Sequence, residues 1–106
     1  MARYLIETSY TREGMQGVLK EGGSARRDAI GKLLADLGGA LESFNFAFGA
    51  KDAYLIVDVP DSVTAAAIGM TVAASGAAST KTVVLLTPEE IDEATKKSVA
   101  YRPPGK

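Results

Sequence analysis

The chain contains no cysteine and no histidine. Without cysteine it has no disulfide, no thiolate nucleophile and no Cys-ligated metal. Without histidine it lacks the usual general base near neutral pH and the usual zinc ligand. Hydrolases of the Ser-His or Cys-His type are therefore disfavoured, and so is haem, which would have no His or Cys axial ligand here although tyrosine can serve. No cofactor and no metal site is expected. Charge of one sign is also missing: 12 basic and 13 acidic side chains leave a formal net charge of −1. The basic residues are dispersed, so nothing points to nucleic acid or an anionic membrane as partner. Nor is there a positively charged leader followed by an apolar run; Met1-Ala2-Arg3-Tyr4 enters a strand pattern directly, and a cytoplasmic protein is expected. The uncharged stretch from Ser62 to Thr80 is long enough to raise the question of a membrane span, but it holds no Leu or Phe and is mostly Ala, Ser, Thr and Gly. That composition inserts poorly, and a buried helix with its following loop is the expected structure.

What is present fits one domain over residues 1–106, 46% hydrophobic and 24% charged. A domain of this size buries roughly two-thirds of the surface its unfolded chain exposes, which is a modest core. Arg3 to Tyr10 reads as a strand. A short helix is expected within Thr11 to Leu19, broken by Gly22-Gly23. Ser24 is then expected to cap a longer helix whose Ile30, Leu33, Leu34 and Leu37 form one apolar stripe, with Asp28 and Lys32 paired at i,i+4 and Gly38-Gly39 as the stop. Ala40 to Gly49 and Asp52 to Val59 read as two strands of a hairpin turning at Gly49-Ala50-Lys51. Pro60-Asp61-Ser62 opens the Ala-rich helix, ending near Ser75-Gly76. Thr82 to Leu86 reads as a short buried strand. Thr87-Pro88-Glu89-Glu90 is a helix start with a Thr cap, Pro at the first position and Glu three residues beyond the cap.

This order is β-α-β-β-α-β with an added C-terminal helix. It predicts an α+β, ferredoxin-like fold with a four-stranded antiparallel sheet. Helices cover one face of such a sheet. The strands read as apolar on both faces: Phe44, Phe46 and Phe48 against Leu41 and Ala47, and Tyr54 and Ile56 against Leu55 and Val57. A sheet apolar on both sides needs a second cover, so a homodimer or higher oligomer packed sheet to sheet is expected.

Gly22-Gly23-Ser24-Ala25-Arg26-Arg27 joins glycines, a capping serine and two arginines. A helix start offers unpaired N–H groups and partial positive charge that suit a small anion, and glycine lets a ligand approach the backbone. Arg26 precedes Ile30 by four residues, which places it on the apolar stripe, where a guanidinium needs a carboxylate or a ligand. A structural salt bridge is the competing explanation. Candidate ligand-binding residues are thus Gly23, Ser24, Arg26 and Arg27, together with Tyr54 on a sheet face whose aromatics could line a pocket. For catalysis the weak candidates are Glu7 and Asp58, carboxylates in neighbouring strands, and Tyr10. Asp52 is read as stabilising its own turn. The leading functional expectation is binding of a small anionic or aromatic molecule. The alternatives are a cofactor-independent oxygenase or isomerase using a cavity between subunits, and a purely structural oligomerisation module.

The segments YLIETSYTREG, LKEGGSARRDAI, FNFAFGAKDAYLIVDVPD and LLTPEEIDEA…YRPPG, in this order over nearly the whole chain, resemble the GYD domain family. Gly49 and Asp52 match the Gly, Tyr, Asp cluster that names the family, and Lys51 stands where its tyrosine is expected. The resemblance implies a small, mostly bacterial protein of the ferredoxin-like, dimeric α/β-barrel group, and it implies no particular activity.

Overall fold

The computed structural model describes residues 2–106. Strict alternation makes two strands the centre of the sheet: Tyr4, Ile6 and Thr8 are buried in β1 (Ala2–Tyr10), and Ala53, Leu55, Val57 and Val59 in β3 (Ala53–Val59). Flanking them are β2 (Ala40–Phe46) and β4 (Ala78–Leu85), giving the order β2-β3-β1-β4 with every neighbouring pair antiparallel. This is the expected ferredoxin-like α+β arrangement.

The crossover from β1 to β2 is two helices, α1 (Arg12–Glu21) and α2 (Gly23–Asp36). Thr11 caps α1 by accepting the Gly14 N–H at 3.2 Å. Gly22, at φ 87° and ψ 168°, is the whole break. Because that break is a single residue, α2 begins at Gly23, and the expected cap at Ser24 is not made: Ser24 lies inside the first turn, and α2 has no side-chain cap. The end of α2 follows expectation. Gly38 takes φ 78°, its N–H bonds to the Ala35 carbonyl at 3.0 Å, and Gly39 N–H bonds to the Leu34 carbonyl at 2.8 Å, which is a Schellman closure. Asp61 caps α3 (Ser62–Ser75), and Gly76 ends it in the left-handed region. The helix α4 (Pro88–Thr95) starts with the expected capping box between Thr87 and Glu90.

Several local expectations are corrected. Lys32 pairs with Asp36 at 3.3 Å, not with Asp28, which instead meets Arg27. The strand at Thr82 is longer than expected and is not buried: β4 is an edge strand, and Val84 is 62% exposed. The hairpin connection is wider, with the Ala47 N–H bonding to the Asp52 carbonyl at 2.8 Å.

The reading of β2 as apolar on both faces is also corrected. A bulge between Leu41 and Ser43 resets the alternation, so Leu41, Phe44 and Phe46 all pair with buried, helix-side residues of β3. Phe48 lies past the strand, fully exposed at 104%. The bare face of the sheet is therefore mixed. Leu5, Ile56, Val83 and Leu85 share it with Arg3, Glu7, Lys81 and Asp58. The helix α4 has no substantial packing contact with another element, and the molecule measures 56 Å along its longest axis. No helix among the described residues is long and apolar enough to cross a membrane.

Candidate functional site

The two long helices dock on opposite margins of the sheet, α2 chiefly on β2 and α3 chiefly on β4. Between them, over the inward faces of β1 and β3, a cleft of about 350 Å³ opens. Its floor is Ile6, Thr8, Leu55 and Val57, and its walls are Ile30, Leu33 and Leu34 from α2 with Ile68 and Val72 from α3. Leu34, 1% exposed, anchors α2 to this core. A cleft of this size and character is at the small end of sites that hold organic ligands.

One end of the cleft is polar. There α2 begins, β1 ends and α3 ends, which brings Arg26, Tyr10 and Ser75 to its lining. The Ser75 hydroxyl is committed locally, donating to the Val72 carbonyl at 2.6 Å. The Arg26 guanidinium reaches Glu21 across the Gly22 break at 3.5 Å. Tyr10 stacks against Phe46 with ring centroids 6.5 Å apart, and Phe46 meets Phe44 at 5.1 Å. Burial raises the Tyr10 pKa, and the nearby Arg26 charge pulls the other way without cancelling it. The phenol is thus protonated at neutral pH and can donate.

The residues singled out in the Gly-Gly-Ser-Ala-Arg-Arg run fare differently. Arg26 lies on the cleft wall, as its place on the stripe predicts, and it also makes the salt bridge weighed as the alternative. Arg27 turns to solvent and Asp28 at 3.2 Å. Gly23 packs against an aromatic ring: a Cβ there would stand 2.9 Å from Cε2 of Phe46. Gly23 and Ser24 do not line the cleft.

Tyr54 pairs with Glu7 on the bare face, so the sheet stands between it and Arg26. Glu7 faces Tyr54 and Lys81, whereas Asp58 faces Arg3, four positions away along the ladder. At about 3.4 Å per residue, these carboxylates are too far apart to act on one atom. Asp58 belongs instead to a cluster that the β2 bulge completes. Arg3 donates to Glu42 at 2.7 Å, with Asp58 beside them. A hydrogen bond with Glu42 raises the Asp58 pKa, while the Arg3 hydrogen bond holds Glu42 low. Among the described residues, no group of three or more acidic side chains is placed to hold a metal ion.

Thr8, Ile68 and Val72 were not foreseen as site residues. Thr8 did carry a signal, being the one polar residue on the inward face of β1, between Ile6 and Tyr10.

Fold and cleft together define a ferredoxin-like α+β domain with an apolar, arginine-rimmed hollow on the helical side of its sheet. The family model for the GYD domain matches residues 4–95, and the chain belongs to that family. No curated protein and no solved structure matches it.

Proposed function

We propose that this GYD domain binds a small, largely apolar molecule in the cleft between α2, α3 and the sheet. The observation that carries this reading is the hollow itself: about 350 Å³ at the centre of the helix-side core, where side chains would otherwise interdigitate. The test is a methyl NMR titration with 3-phenylpropanamide, a neutral apolar probe. Shifts concentrated at Ile6, Ile30 and Ile68 support the reading. Their absence up to the solubility limit, with this probe and with its acid 3-phenylpropanoate alike, overturns it.

A second reading, a homodimer packed through the bare sheet face, is favoured by Leu5, Ile56, Val83 and Leu85 on that face. The unpacked α4 with its exposed Ile91, and the exposed Val99 and Tyr101 in the segment after it, add apolar surface for a partner to cover. Sedimentation velocity at micromolar concentration tests it, and monomer alone counts against it. The two readings concern opposite faces of the sheet and are compatible.

A further inference from the structure

Among the described residues Arg26 is the one charged side chain in the lining of the cleft; the carboxylates of Glu21 and Asp52 lie near that end but outside the lining. Its guanidinium carries five N–H donors in a planar fork, and the 3.5 Å contact with Glu21 engages a single nitrogen, Nη1. Its side chain is partly exposed, so water serves the remaining donors in the free protein, and a ligand acceptor in the cleft can take that water's place. Tyr10 adds a phenol O–H at the same end, close enough for the Arg26 charge to act on it. From there the lining is mostly hydrocarbon toward Ile30, Leu34 and Ile68, with Thr8 and Thr80 as its other polar side chains. It is thus cationic at one end and uncharged, chiefly apolar, over the rest.

We infer that the ligand of this cleft is an amphipathic monocarboxylic acid, with its carboxylate on Arg26 and the Tyr10 hydroxyl and its apolar body along Ile30, Leu34 and Ile68. The inference rests on the cleft being the binding site. A planar carboxylate matches the guanidinium fork with two parallel hydrogen bonds. A phosphate presents more charge and more acceptors than one arginine and one phenol can satisfy. The apolar body is an alkyl chain or a single aromatic ring, and the two are separated by the choice of probes.

The experiment is an NMR titration of the intact chain at neutral pH with two matched pairs: hexanoate and hexanamide, 3-phenylpropanoate and 3-phenylpropanamide. In the pair with the right body, the acid binds at least about ten-fold more tightly than its amide, the scale of one charge-assisted hydrogen bond. Arg26→Gln lowers acid affinity to about that of the amide, while amide affinity falls far less. Arg26 is partly exposed, so the variant folds, which its thermal transition verifies. Equal affinities of acid and amide in wild type overturn the carboxylate inference and leave the cleft as a site for neutral molecules. An acid preference that survives Arg26→Gln overturns it as well. If neither amides nor acids move the Ile30 and Ile68 methyls, the cleft is not a binding site and both readings fall.

Discussion

The Asp52 carboxylate accepts a hydrogen bond from the backbone N–H of Tyr10 at 2.8 Å, while the Asp52 backbone N–H donates to the Thr8 carbonyl at 2.9 Å. The β1–β3 pairing ends at Thr8 and Ala53. Asp52 thus carries the ladder beyond its last pair, using a side chain in place of a strand. Its carboxylate ties the β2–β3 connection to the end of β1, where Tyr10 borders the cleft, while its carbonyl, accepting the Ala47 N–H, closes that connection.

Removing that carboxylate strands the Tyr10 N–H. Asp52→Ala is expected to lower unfolding free energy by about 1–3 kcal/mol, the cost of losing a charge-assisted bond to a half-buried donor. Asp52→Asn keeps an acceptor and costs less. Urea denaturation of both variants checks the order, and equal costs would show that the acceptor is not what matters.

Two glycine substitutions in helices have opposite signs. A Cβ on Gly14 would overlap the Ala77 carbonyl oxygen, a backbone atom that cannot swing away. Gly14→Ala is expected to cost about 1–3 kcal/mol or more by overpacking. Around Gly31, inside α2, a Cβ meets nothing within 4 Å. Gly31→Ala is expected to add roughly 0.4–1 kcal/mol, because the unfolded chain loses freedom. Chemical denaturation midpoints measure both.

The Arg3–Glu42–Asp58 cluster has a definite titration signature. Asp58 is raised by its hydrogen bond with Glu42, so its contribution to stability falls as pH rises from the ordinary aspartate range through its raised midpoint. Glu42 is lowered by Arg3, so its contribution falls as pH drops through its lowered midpoint. Carboxyl-detected NMR titration is expected to show Asp58 above, and Glu42 below, the same residue types in an unfolded peptide. Glu42→Gln is expected to bring Asp58 down. An unchanged Asp58 midpoint in that variant would exclude Glu42 as the cause.

The capping box of α4 is a local device. Thr87 accepts the Glu90 N–H at 3.1 Å, and Glu90 accepts the Thr87 N–H at 2.9 Å. Thr87→Ala removes about 1 kcal/mol from the helix. Because α4 is not packed into the core, the loss is expected in faster amide exchange within α4 and not in the thermal midpoint of the domain. A lowered midpoint would mean that α4 is coupled to the core.

Features set by a few adjacent residues were legible in the sequence. The Thr87-Pro88-Glu89-Glu90 start and the Gly38-Gly39 stop formed as expected, since their hydrogen bonds close within one turn. Alternation separated Tyr54 and Ile56 from Leu55 and Val57 in β3, but both faces read as apolar, so it did not say which is inward. Alternation failed in β2, because one bulged residue at Glu42 reverses the facing of everything after it. The same bulge delivers the partner of Arg3, so that cluster was hidden too. Arg26 was legible as out of place on an apolar stripe. The cleft it borders was not, because the hollow depends on where α2 and α3 dock, and no stretch of sequence records the distance between them.

The crossover between β1 and β2 spans the sheet from margin to margin. The start of α1 sits against the Ala77 backbone, beside β4, at a contact only the bare Cα of Gly14 allows, whereas α2 lies over β2 at the far margin. The crossover therefore turns a corner, and the corner is Gly22. No Cβ would collide with anything there, so glycine is required for its positive φ and not for space. A single backbone torsion, in a residue outside the lining of the hollow, thus lets one crossover reach both margins of the sheet.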